Sequence, residues 1–126
     1  MPASAQRAGR PRRRSDEACL RGDAALQRAF ELLGKRWTGI VLGTLSDGPS
    51  GFRDLARDVE GIGDSMLSER LRELTHAGLV ARRVTEGPPV SVTYELTDAG
   101  HALLPALEQI SRWAEVHLPA AARQDV

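Results

Sequence analysis

The chain of 126 residues holds one cysteine, Cys19, so it can form no intrachain disulfide. It has no apolar run near the roughly 20 residues of a membrane span. The first residues also lack the apolar core of a signal peptide, so a cytoplasmic protein without a membrane partner is expected. Net charge is missing as well: 17 Lys and Arg balance 17 Asp and Glu. That balance argues against a protein that coats DNA indiscriminately. Lysine is nearly absent, Lys35 standing alone against sixteen Arg, a bias that fits a GC-rich genome better than a function. Chemistry-bearing patterns are absent too. His76, His101 and His117 fall at unrelated spacings, with neither a second Cys nor an acidic cluster to complete a metal site. There is no nucleophile elbow, Walker loop or dinucleotide fingerprint. Neither an enzyme nor a cofactor is expected.

What the chain does have is a hydrophobic content of 41% in alternation with polar segments, as in one globular domain. Its boundaries are expected at 16 and 118. Before it, residues 1–15 are Ala, Pro, Gly, Ser and Arg with nothing to bury, and read as a disordered arm. After it, residues 119–126 read as a flexible tail. The arm concentrates charge: Arg7, Arg10, Arg12, Arg13 and Arg14 with no acid give it +5, and twelve cations against seventeen acids leave the rest at −5. Such arginines lie along phosphates or enter a narrow minor groove, and Gly9-Arg10-Pro11-Arg12 resembles the core of an AT-hook. Ala8 stands where that motif has a basic residue, and a merely solubilising tail is the competing reading.

Residues 52–94 organise the chain. Phe52-x-x-Leu55 predicts a short helix and Gly61-Ile62-Gly63 a turn. Leu67, Leu71 and Leu74 then recur at the spacing of one buried helix face. Ser65, Glu69, Arg72 and His76 point the opposite way, with Ser68 at the edge. Gly78 follows, then the strand runs 79–85 and 90–96 about Glu86-Gly87-Pro88-Pro89. The succession reads as a helix-turn-helix with a β-hairpin wing, mainly α. Hydroxyls, a carboxylate and an arginine on the outward face suit base edges in a major groove. An ordinary solvated face is the alternative, since residues 53–83 hold six Arg and six acids.

These residues carry a resemblance. Gly34-Lys35-Arg36-Trp37-Thr38, Phe52-x-x-Leu55, Ile62, Met66-Leu67-x-x-Arg70-Leu71-Arg72-Glu73-Leu74, Gly78-Leu79-Val80, Pro89-x-x-Val92-x-Tyr94 and Leu96-Thr97-x-x-Gly100 resemble the HxlR family over about 19–118. Those proteins are bacterial winged-helix transcription regulators, related in fold to the MarR group. The resemblance implies a homodimer joined through the first and last helices, and a repressor more than an activator. Double-stranded DNA and a second copy are the implied partners, with an oxidant or small-molecule effector in control. Base contacts are assigned to Ser65, Ser68, Glu69 and Arg72. Phosphate contacts are assigned to Arg53, Arg82 and Arg83, with Lys35 as a further candidate. The chain departs from the pattern at Gly51, where relatives often carry a basic residue, and at Val90 and Ser91, where the wing tip commonly offers Arg. Cys19 matches the N-terminal cysteine that senses oxidants or electrophiles in several members. Arg21 favours its thiolate while Asp16 and Glu17 oppose it, so a buried, inert cysteine stays open.

Outside that stretch, Leu26, Ala29, Phe30 and Leu33 predict a helix capped by Asp23, with Gly34 closing it in a left-handed turn. A second helix is expected to bury Trp37, Ile40, Val41, Thr44 and Leu45. Thr97 should cap a last helix bent near Pro105, bearing Leu103, Leu104, Leu107, Ile110, Ala114 and Leu118. That stripe exceeds what a small core needs and implies a partner surface. Trp113 reads as interface or core. Phe30, Trp37 and Trp113 mark where a small ligand or the dimer seam is expected. A winged helix used only for protein contacts is the alternative function, which salt dependence would separate from a DNA reader.

Overall fold

The computed structural model describes residues 23–118 and Ala120. They fall in two compact units, one ending at Arg36 and one starting at Trp37. The arm 1–15, Cys19 and the tail (Ala120 apart) lie outside the described residues.

In the first unit, α1 (Ala24–Leu33) starts as its sequence requires. Asp23 is extended, and its Oδ1 accepts from the Ala25 N–H at 2.8 Å. The left-handed cap expected at Gly34 does not form. Gly34 stays right-handed at φ −76°, donating its N–H to the Phe30 carbonyl at 2.8 Å, so helical bonding runs on by one residue. The positive φ falls at Trp37 instead, at 81°. For a bulky residue that geometry costs on the order of 1–3 kcal/mol.

The second unit runs α2 (Thr38–Leu45), β1 (Ser50–Gly51), α3 (Phe52–Asp58), α4 (Asp64–His76), β2 (Val80–Thr85), β3 (Ser91–Leu96) and α5 (Asp98–His117). With Trp37 acting as a left-handed N-cap, α2 takes its phase from Thr38. Its buried face is Thr38, Val41, Leu42 and Leu45, while Ile40 is 55% exposed and Trp37 half-buried. The expected face of Trp37, Ile40 and Thr44 is therefore rotated. Apolar residues surround α2, so patterning could not choose its phase.

Those residues meet Leu55 and Val59 from α3 and its end, Ile62 from the turn, Leu67, Leu71 and Leu74 from α4, and Val80 and Leu96 from the strands. Together they form the core. Gly61 makes the turn between α3 and α4 at φ 90°, where a side chain would be strained. β2 and β3 pair antiparallel from Val80↔Leu96 to Thr85↔Ser91. β1, not expected, adds a short third strand on the other edge of β3, through Ser50↔Tyr94 and Gly51↔Thr93.

At the start of α5 the Thr97 hydroxyl accepts from the Gly100 N–H at 3.2 Å and donates to the Gly78 carbonyl at 2.7 Å. The Thr97 N–H reaches the Leu79 carbonyl at 3.0 Å. Gly100 is buried against this loop so closely that a Cβ would lie 2.3 Å from the Leu79 carbonyl oxygen. α5 continues through Pro105 to His117. Leu103, Leu104 and Leu107 are half-buried, whereas Ile110, Trp113, Val116 and Leu118 are exposed. Among the described residues, no helix is long and apolar enough to cross a membrane.

Candidate nucleic-acid interface

α4 turns Leu67, Leu71 and Leu74 inward. One helical period therefore leaves Ser65, Ser68, Arg72 and His76 exposed, with Glu69 half-buried beside them. Gly63 is an extended N-cap with no side chain to offer, so the first-turn N–H groups and the positive end of the helix face outward. Asp64 sits at that end. Arg53, from the first turn of α3, reaches Asp64 with Nη2 to Oδ2 at 2.8 Å and lies 5.1 Å over the Phe52 ring. Both side chains are exposed, so this link contributes about 0–1 kcal/mol to stability. Its consequence is electrostatic: Arg53, assigned to phosphate, comes with a carboxylate attached. The same holds within α4, where Arg72 Nη2 donates to Glu69 Oε2 at 2.8 Å. That hydrogen bond raises the Arg72 pKa above its ordinary value.

The wing separates two arginines that adjoin in sequence. Because strand side chains alternate, Arg82 and Arg83 leave opposite faces. Arg83 Nε donates to Glu95 Oε2 at 2.6 Å. Arg82 instead stands opposite Tyr94 in the ladder and lines an open cleft of about 440 Å³ between α4 and the sheet. Across that cleft are Ser68, Arg72, Thr75 and His76. Among the described residues Arg82 makes no ion pair. The structure thus brings Ser68, Arg72 and Arg82 onto one surface, with Ser65 and Glu69 on the same helix. Sequence reasoning missed Thr75 and Tyr94, whose place there depends on the hairpin register. It also missed the Arg53–Asp64 link, which needs the angle between two helices.

Lys35 lies in the first unit, exposed. Phe30 is exposed on α1. Of the two tryptophans, Trp37 packs toward the helix-turn-helix turn, its Cη2 lying 3.4 Å from where a Gly61 Cβ would sit. Trp113 stacks obliquely on His117 with ring centroids 5.6 Å apart. A crevice of about 320 Å³ between α2 and α5 is lined by Gly39, Gly43, Leu104, Leu107 and Glu108 among others, and by neither tryptophan. Among the described residues, no group of His, Cys, Asp and Glu could hold a metal ion.

An exposed second helix after a tight turn, flanked by a β-hairpin, defines a winged helix-turn-helix DNA-binding protein. Comparison with known proteins agrees. The chain belongs to the HxlR-like helix-turn-helix family, whose model matches residues 32–122, a span that leaves Cys19 outside. It is 40% identical over 90 residues to the HTH-type transcriptional regulator YodB of Bacillus subtilis, covering 71% of this chain and 80% of YodB. The reduced YodB structure superposes with a TM-score of 0.69 at 39% identity, over 73% of this chain and 90% of that one. YodB has also been solved bound to quinone. The redox regulator HypR in its reduced form gives a TM-score of 0.69 at 32% identity, over 74% and 92% of the two chains. The chain is accordingly a DNA-binding transcriptional regulator.

Proposed function

We propose that this protein is a cytoplasmic repressor, acting by binding and not by catalysis, which holds a near-palindromic operator as a homodimer. The observation that carries the reading is the surface shared by α4 and the wing, where Ser68, Arg72 and Arg82 converge at one open cleft. In this reading α4 lies in the major groove, with Ser65, Ser68, Glu69 and Arg72 at the bases. Arg82 and Arg53 hold phosphates, Lys35 adds a further contact, and Arg83 serves chiefly to brace Glu95. The dimer uses the first and last helices, each of which carries exposed apolar side chains: Leu26 and Phe30 on α1, Ile110, Trp113 and Val116 on α5. Twofold symmetry then sets two reading helices about one DNA turn apart.

Control is assigned to Cys19, the single thiol. Similarity to YodB, solved with quinone, and to HypR, a redox regulator, supports an oxidant or electrophile as the signal. The test titrates the purified protein onto the intergenic DNA beside its own gene at two salt concentrations, with and without diamide, and repeats this with Cys19→Ser. A reader of about six phosphates loses roughly a thousandfold in affinity between ~50 and ~200 mM salt. Release by diamide in the parent but not in the variant is the expected outcome. Equal release in both, or in neither, removes Cys19 from the switch and turns the search to a small ligand. No DNA binding at either salt would leave a protein-contact module.

A further inference from the structure

Arg72 and Glu69 form one composite group on the outward face of α4. Arg72 donates one N–H of Nη2 to Glu69 Oε2 at 2.8 Å, the contact that dominates its surroundings, with a weaker electrostatic attraction from Glu73. The rest of the guanidinium therefore keeps its donors, and Glu69 Oε1 keeps its acceptor lone pairs. Relative side-chain exposures of 67% and 45% leave these unused groups facing solvent. The pair is neutral as a unit, so it attracts phosphates weakly, unlike Arg82 across the cleft, which has no carboxylate partner among the described residues. Reading outward from the arginine, it displays two donors followed by an acceptor. In the major groove a G·C pair displays the complement: acceptors N7 and O6 on guanine, then the N4 donor on cytosine. An A·T pair breaks the match twice, setting a donor, adenine N6, against the guanidinium and an acceptor, thymine O4, against the carboxylate. The i,i+3 bridge also holds the two side chains in place before DNA arrives, which lowers the ordering cost of the contact.

We propose, resting on the reading that α4 enters the major groove, that Glu69 and Arg72 act together to select one G·C base pair in each operator half-site. Arg72 takes N7 and O6 of the guanine, and Glu69 accepts from N4 of the cytosine. Arg82 supplies affinity without sequence preference, and Arg53, paired with Asp64, adds less.

The test uses the full-length protein and an operator selected by the parent from a pool of random duplexes. Each base pair is then exchanged in turn, and dissociation constants are measured at one salt for the parent, Arg72→Lys and Glu69→Gln. Both substitutions are on the exposed face and conserve size, and thermal melting checks that the fold is intact. The parent should show one G·C position per half-site where exchange for A·T costs about ten- to a hundredfold. With Arg72→Lys, which keeps the charge but loses the fork, that penalty should fall below about threefold while other positions keep theirs. With Glu69→Gln it should also shrink. Affinity for random duplex should meanwhile rise several-fold with a steeper salt slope, because the Arg72 charge is no longer neutralised. An unchanged profile in both variants, or a uniform loss at all positions, would overturn the proposal while leaving α4 as a reader. A parent that selects no sequence would overturn the major-groove reading as well.

Discussion

Because successive strand residues face opposite ways, Arg82 turns toward the cleft beside α4 and Arg83 turns to Glu95. Their adjacency in sequence concealed this division, and the register Arg82↔Tyr94 reveals it. An arginine without a carboxylate contributes its full charge to a phosphate. Arg82→Ala should therefore weaken binding alike for operator and random duplex, and reduce the salt slope by about one. Arg83→Ala should leave the slope nearly unchanged; equal slopes for both variants would show that the two share the phosphate task. A second residue of this kind is Gly100. With a Cβ only 2.3 Å from the Leu79 carbonyl oxygen, Gly100→Ala must push α5 off the loop after α4. Overpacking of this sort costs roughly 1–3 kcal/mol, read as a lowered midpoint in urea. The sequence contained that glycine in Leu96-Thr97-x-x-Gly100 but offered no cause for it, since the carbonyl it meets lies twenty-one residues earlier.

Among the elements, α4 was legible throughout. Its leucines keep one period, Gly63 and Gly78 bracket it, and its outward residues emerged where 100° per residue puts them. Leu71→Ala should cost about 2–5 kcal/mol in unfolding free energy by leaving a cavity beneath the reading face. Operator binding should recover at low temperature if that face itself is intact. The start of α5 was equally readable. Thr97→Ala removes both the cap to Gly100 and the bond to the Gly78 carbonyl, and should lower stability by about 0.5–2 kcal/mol in urea titrations. A loss within error would show that the close packing of Gly100 alone fixes the helix. Less legible were α2, apolar on all sides, and β1, two residues just after a Gly-Pro turn that become a strand only because Thr93 and Tyr94 offer an edge. The left-handed residue was misplaced for a related reason. Glycine marks where positive φ is cheap, whereas between α1 and α2 the structure puts it at Trp37, whose ring lies over the turn at Gly61.

At the scale of the molecule, the surface shared by α4 and the wing is polar and charged, and another remains apolar. Ile110, Trp113 and Val116 on the last turns of α5, and Leu118 just beyond it, expose large apolar side chains. A monomer gains nothing by this arrangement, whereas a twofold partner would remove them from water at about 25 cal/mol for each Å² covered. Trp113→Ala together with Val116→Glu should give a monomer by sedimentation. It should lower operator affinity far more than affinity for a half-site, because the second reading helix is lost. A dimer that persists would move the seam elsewhere. Periodicity and turn chemistry are local properties of the chain, and they sufficed for the helix-turn-helix, the wing, the outward face of α4 and the surplus stripe on α5. The pairing of Arg53 with Asp64, the cleft joining Arg82 to Arg72, the third strand and the phase of α2 were decided only in the tertiary structure. Each depends on the angle or register between segments distant in sequence, and many registers satisfy the same local pattern until the core selects one.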